Sequence, residues 1–191
     1  MSSFYRKQLE DWLKKLEVSG ERVLDVGGAQ LPVKGRTASW DVKDYQILDL
    51  PVPHQGEAPG IKFDLNAAAN EKVQAGDVVF CLEVMEYVWD PETAMFHLRE
   101  LTKDGGILHI TFPYFYPPHE PYQEDCLRYT LSGAKKLLRE ADFSVEQVVA
   151  RQCIGTGQKT AIEMNALRPS KNATHDELFY TLGYIITAKA I

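Results

Sequence analysis

The sequence predicts an α/β domain built on a doubly wound, mostly parallel sheet. Three observations point to it. Short apolar runs recur along the chain with helical patterns between them. The most apolar run, Asp77-Val78-Val79-Phe80-Cys81-Leu82, has no polar alternation, as expected of a strand covered on both faces. Turn residues, among them Gly20, Gly27-Gly28 and Asp104-Gly105-Gly106, fall between these segments. A chain of 191 residues suits one domain with a sizeable core, so residues 1–191 are read as a single unit.

Taken in order, Tyr5, Leu9, Trp12, Leu13 and Leu16 stand at helical spacing and predict an amphipathic helix over residues 4–17, closed by Gly20. A first strand follows at Arg22–Val26. Residues 29–44 show no helical face. Strands are expected at 45–49, 61–64 and 77–82. Asp90-Pro91 supplies an N-cap with proline at the first helical position, and Ala94, Leu98 and Leu101 form the buried stripe of that helix. Asp104-Gly105-Gly106 is read as its stop, with a strand at 107–112. Thr130 caps a helix bearing Leu131, Ala134, Leu137, Leu138 and Ala141 on one face. Asp142 suits a left-handed C-terminal position. Strands at 143–150 and 183–188 close the fold, so the core spans about 20–150 and the C-terminal strands about 143–190. Within 157–178 the pattern is ambiguous, with a short helix possible at 160–167.

The formal net charge of −6 provides no broad positive field for phosphate backbones or anionic lipid, which disfavours nucleic acid and membrane as partners. Cys81, Cys126 and Cys153 are odd in number, widely spaced and lack a CxxC pair, against both a disulfide framework and a zinc knuckle. No run reaches transmembrane length and the first residues do not read as a signal peptide. A cytoplasmic protein is expected.

In a doubly wound sheet, ligands bind beyond the carboxyl ends of the strands. Here those ends carry Asp25-Val26-Gly27-Gly28, Asp49, Asp64-Leu65-Asn66 and Glu83-Val84. Carboxylates repel phosphate, but they accept hydrogen bonds from ribose hydroxyls, an exocyclic amine or an ammonium group. A dinucleotide would instead call for a third glycine and an open helix N-terminus behind the first strand, and neither pattern is present.

These segments resemble the class I S-adenosylmethionine (SAM)-dependent methyltransferases. Val23-Leu24-Asp25-Val26-Gly27-Gly28 is similar to the family's first motif and Asp77–Val88 to its fourth-strand motif. Lys103–Leu108 matches the turn into the fifth strand, and Arg139–Phe143 the end of the following helix. Pro118–Thr130 resembles a segment of a small-molecule and glycan-type branch. The resemblance implies a Rossmann-like, seven-stranded sheet with an antiparallel last strand, and SAM as cofactor. It also implies that Asp25, Gly27 and Gly28 lie along the methionine part and that Asp49 accepts the ribose hydroxyls. Asp64 and Leu65 would meet the adenine, and Glu83 and Val84 would border the methionine and acceptor side. Asp41 and Asp44 compete with Asp49 for the ribose. The sequence departs from the family in having Ala29-Gln30-Leu31-Pro32 where a third glycine and a helix are usual.

Beyond the fifth strand, an aromatic, proline-interrupted loop is the expected acceptor face, with Tyr87, Tyr114, Tyr122, Arg128 and Tyr129 as contacts. His119 has an ordinary pKa of roughly 6.5 and suits a general base, with Asp125 orienting or replacing it. The competing reading of Asp125 and Arg128 is a local ion pair. His119, Glu120, Glu124 and Asp125 match no defensible metal-ligand spacing. The expected function is methyl transfer to a small-molecule or glycan-like acceptor. The alternatives are a non-catalytic SAM-binding regulatory or scaffold protein, and a dinucleotide-dependent oxidoreductase.

Overall fold

The computed structural model describes residues 4–53, 59–118, 120–152 and 181–191. Helix α1 spans Phe4–Leu13. Strands β1 (Glu17–Val26), β2 (Ser39–Asp49), β3 (Ile61–Lys62) and β4 (Gly76–Cys81) precede helix α2 (Pro91–Leu101). Strand β5 (Thr102–Pro113), helix α3 (Leu131–Glu140), β6 (Phe143–Gln152) and β7 (Thr181–Ala190) complete the order. The strands form one seven-stranded sheet, β3-β2-β1-β4-β5-β7-β6. β1 to β5 run parallel, and β7 runs antiparallel between β5 and β6. Strand order reverses between β1 and β4, which fixes where a ligand crevice opens.

The two faces are covered unequally. α2 and α3 pack Ala94, Leu98, Leu101, Ala134 and Leu138 onto Val79, Cys81, Leu108 and Ile110. Asp90 accepts from the Thr93 amide at 3.1 Å and Pro91 opens α2, while Thr130 caps α3 through the Gly133 amide. The opposite face is closed by α1, whose Leu9 and Leu13 meet Val18, Val23, Phe80 and Ile185. Residues 27–38 between β1 and β2 form turns and bends without a helix, and Val33 from this connection joins the α1 cluster.

Several boundaries differ from expectation. α1 stops at Leu13 rather than 17, because β1 begins at Glu17 and Gly20 lies inside it, paired with Val42. β2 starts at Ser39, where Trp40 and Val42 turn toward α1 and Asp41 and Lys43 turn outward. This period-two pattern was hidden in the stretch read as irregular. Asp104-Gly105-Gly106 is a bulge within β5 rather than a stop. Gly105 has φ +75°, and the β4–β5 register shifts between Gly76 and Val78. Asp142 does adopt a left-handed φ of 57°. The ambiguous stretch 157–178 lies outside the described residues.

Candidate functional site

A cavity of about 590 Å³ opens at the carboxyl edge, between the ends of β1, β2, β3 and β4. Its volume lies in the range of small-molecule sites. Val26, Gly27 and Gln30 contribute from the β1 end, Asp49 and Leu50 from β2, and Phe63, Asp64, Leu65 and Asn66 from beyond β3. Glu83, Val84, Tyr87 and Val88 line it from the loop after β4. Arg6 reaches it from α1, and Glu120, Pro121 and Glu124 border its mouth.

The glycine pair is dictated by close approach. Gly27 has φ +78°, and a Cβ there would strike Val84. A Cβ on Gly28 would overlap the Asp25 carboxylate. Asp25 is buried to 2 % exposure and accepts from the Val33 amide at 2.8 Å and the Tyr45 hydroxyl at 2.5 Å. Burial pushes its pKa up to about 6, against those two hydrogen bonds. Asp25 thus holds the helix-free β1–β2 connection in place and lines a smaller adjoining cavity with Gly28 and Arg36.

Asp49 and Asp64 are held mainly by backbone amides. Asp49 accepts from Ala29 and Leu50 at 2.9 and 2.8 Å, and Asp64 from Asn66 at 2.8 Å. The chain around Asp64 is fixed by Asn70, which accepts from the Asp64 amide at 2.8 Å and donates to its carbonyl at 2.9 Å. His97 of α2 lies 2.8 Å from the Ala67 carbonyl in the same turn. Carboxylates so held keep lone pairs for a ligand.

The carboxylates after β4 are arranged differently. Glu83 has φ 58°, its amide donates to the Thr111 hydroxyl at 2.7 Å, and its side chain receives both terminal nitrogens of Arg151 at 2.5 and 3.0 Å. Burial alone would raise the Glu83 pKa, but the Arg151 guanidinium more than offsets it and holds the carboxyl below its ordinary value. Glu86 is buried at 2 % exposure. Desolvation, then the Glu83 charge, drive its carboxyl well above the usual range.

No family model matches the chain. In sequence it is 30 % identical over 139 residues to a ubiquinone biosynthesis O-methyltransferase of Vibrio atlanticus (strain LGP32), covering 66 % of this chain and 55 % of that protein. A ubiquinone biosynthesis O-methyltransferase of Bordetella avium (strain 197N) is 32 % identical over 108 residues, 50 % of this chain and 45 % of that one. The chain thus spans about half the length of the curated relatives it matches. In structure it superimposes on an S-adenosylmethionine-dependent methyltransferase of Mesorhizobium loti with a TM-score of 0.59 at 16 % identity, over 98 % of each chain. The chain thus has the fold of the class I SAM-dependent methyltransferases.

Within this methyltransferase fold, Gly27, Asp49, Asp64, Leu65, Glu83, Val84 and Tyr87 line one cavity. Among the three aspartates that competed for one role, Asp49 lines the cavity. Asp44 is paired with Arg22 at 2.6 Å, and Asp41 is exposed near the other end of β2.

Five expected acceptor or catalytic positions lie elsewhere. Tyr129 is a core residue, 7 % exposed, whose hydroxyl donates to the Met85 carbonyl at 2.9 Å. Tyr114 packs beside Tyr184 with ring centroids 6.1 Å apart, its amide tied to Leu182. Asp125 is clasped by Arg128 through both carboxylate oxygens, and Arg128 also donates to the Tyr116 carbonyl at 2.9 Å. The local ion pair is the arrangement found, and neither side chain lines the cavity. Tyr122 points into solvent at 60 % exposure. His119 lies outside the described residues. Reading the sequence missed Arg6, Gln30, Glu86 and Arg151. A basic residue on the charged face of an amphipathic helix, or alone at the end of a strand, carries no local signal of the partner it will meet.

Proposed function

We propose that the cavity binds SAM and that the chain transfers its methyl group to a small-molecule or glycan-like acceptor, through a hydroxyl as in the O-methyltransferase relatives. The observation that carries this reading is the gathering of Gly27, Asp49, Asp64, Leu65 and Val84 around one cavity of nucleoside size. Their chemistry fits the cofactor. Asp49 offers acceptors for a ribose diol and Asp64 for an exocyclic amine, while Phe63, Leu65 and Val88 provide apolar walls for a purine. Arg6 is the one cation among the described residues of the wall, and it stands beside Gly27 and Gln30, where it would meet a carboxylate. A pyrophosphate has no helix N-terminus after Gly27-Gly28 to receive it, which weighs against a dinucleotide.

When bound, SAM supplies a methyl group on a cationic sulfur, which the acceptor oxygen takes in line as the carbon–sulfur bond breaks. The chain's contribution is chiefly positioning, which can supply on the order of 7–11 kcal/mol of such a barrier. Glu83 and Tyr87 border the space left for the acceptor, and the Tyr87 hydroxyl donates to the Glu120 carbonyl at 2.9 Å, holding the mouth segment. His119, one residue before Glu120 in the sequence, is the base we assign to the hydroxyl proton. No described helix is long and apolar enough to cross a membrane, and a cytoplasmic setting fits the unpaired Cys81 and Cys126.

Calorimetric titration with S-adenosylhomocysteine tests the cofactor, with NAD as control. The reading expects binding of S-adenosylhomocysteine and none of NAD, and the reverse overturns it. Transfer from methyl-labelled SAM to phenolic and sugar hydroxyls tests the reaction. Cofactor binding without transfer to any acceptor would favour the non-catalytic alternative, whose basis is the helix-free β1–β2 connection.

A further inference from the structure

Among the described residues Arg151 is the largest fully buried side chain, at 0 % exposure, although it belongs to β6 at the far edge of the sheet from the adenine end of the cavity. Its guanidinium gathers three parts of the molecule. It grips Glu83 with both terminal nitrogens, donates to the Tyr5 carbonyl of α1 at 3.0 Å, and lies 3.1 Å from the centroid of the Tyr5 ring. That ring stacks on Tyr116 with centroids 4.2 Å apart, and Tyr116 accepts from Arg128. A buried arginine with a bidentate carboxylate partner has one geometry available to it. Glu83 needs such a hold, because its left-handed backbone is strained for a residue with a side chain.

We infer that Arg151 is a positioning residue of the site, acting through Glu83: it fixes that carboxylate, ionised, against the cavity where cofactor and acceptor would meet. This rests on the methyl-transfer reading for its purpose but not for its geometry. Glu83 and Glu86 are neighbouring carboxyls of which Glu86 is buried and Glu83 about one-fifth exposed, and Arg151 clasps Glu83 with both terminal nitrogens. The Arg151 clasp favours the ionised form of Glu83, whereas burial and then the Glu83 charge raise the Glu86 carboxyl. The groups facing this pair include Tyr5 and Arg6 from α1, Cys81 from β4, Tyr87 from the loop after β4, Thr111 from β5, and Asp125, Arg128 and Tyr129 from the segment after β5. An ionised Glu83 on the wall would favour a cationic centre nearby, as the sulfonium is.

Two measurements separate this from a purely structural role. The first is carboxyl-carbon NMR titration of the free protein, with Glu83→Gln and Glu86→Gln to assign the signals. Glu83 is expected to stay ionised to below the ordinary carboxylate range in the wild type and to titrate with Glu86 in Arg151→Met. A Glu83 that titrates ordinarily and ignores Arg151 overturns the assignment, whether or not SAM binds. The second is SAM affinity across about pH 6 to 9, since SAM carries the sulfonium that S-adenosylhomocysteine lacks. Arg151→Met is expected to bind roughly 10-fold weaker with a new pH dependence, tighter as pH rises, and Arg151→Lys to fall between it and the wild type. The double variant Glu83→Gln/Arg151→Met leaves no buried charge unpaired, which guards against misfolding, and should bind no worse than Glu83→Gln alone. Wild-type affinity with a flat pH profile in Arg151→Met overturns the inference. If Glu83 responds to Arg151 but the wild type binds no SAM, the clasp stands and the methyl-transfer reading falls.

Discussion

The carboxylates on the β2–β3 side of the cavity and those after β4 and β5 are held in opposite ways. On the β2–β3 side, Asp49 and Asp64 are held by backbone amides and retain acceptors for a ligand. After β4, Glu83 on the wall is clasped by Arg151 from β6, and in the segment after β5 Asp125, which does not line the cavity, is clasped by Arg128 three residues on. An amide can orient a carboxylate without neutralising it, whereas a bidentate guanidinium both orients and neutralises. Asp49 and Asp64 are therefore built to recognise and Asp125 to hold shape, with Glu83 fixed at the wall between the two roles. Substitutions should divide along that line: recognition losses on one side, stability losses on the other.

The largest expected effect tests the shape-holding role. Asp125→Ala strands Arg128 and should lower stability by about 3 kcal/mol, the low end for breaking a buried pair because Arg128 is partly exposed. Chemical denaturation measures it, and S-adenosylhomocysteine affinity should change little. A normal stability with lost turnover would return Asp125 to a catalytic role and erase the contrast. On the recognition side, Asp49→Ala should weaken S-adenosylhomocysteine binding by roughly 10- to 100-fold, the worth of hydrogen bonds to a charged group. Asp64→Ala should cost less, roughly 10-fold, since an exocyclic amine offers a single bond to it. Calorimetry on both variants, with thermal melts to show that they fold, would sharpen or dissolve the division.

Reading the chain reached the strand ends and went no further. Asp49, Asp64, Leu65 and Val84 could be placed on one edge because strand alternation and the crossover rule put them there. The α2 and α3 caps were legible because Asp90-Pro91 and Thr130 act on neighbours within a turn. Strand extents were not, because β1 and β2 lengthen each other by pairing from Glu17↔Ser39 onward, an interaction between segments with weak patterns of their own. The same holds for charge. Asp25, Glu83 and Asp125 look alike at the ends of their strands or loops, yet a hydroxyl from Tyr45, a guanidinium 68 residues away and one three residues away give them three different fates. Tyr129 likewise looked like part of an aromatic acceptor loop, until the fold offered its hydroxyl a buried carbonyl and turned it inward.

The smallest net effect concerns two buried groups on the α1 side of the site, where opposite pKa shifts overlap. Burial raises Asp25 from 3.8 to about 6, so between those values the folded chain holds a proton that the unfolded chain has lost, and stability grows as pH falls. Burial lowers His109, stacked on Phe80, from 6.5 to about 4. In nearly the same window the unfolded chain holds the extra proton, and stability shrinks as pH falls. The two contributions oppose each other at up to about 1.4 kcal/mol per pH unit apiece and nearly cancel. Removing one should unmask the other. Asp25→Asn, whose amide oxygen can still accept from the Val33 amide and the Tyr45 hydroxyl, should lose stability more steeply than the wild type on acidification from about pH 6 to 4. His109→Gln should lose less, or gain. Parallel profiles for all three proteins would mean that neither group titrates in the folded state as its burial demands, and that the β1–β2 connection is held by Asp25 in one charge state throughout.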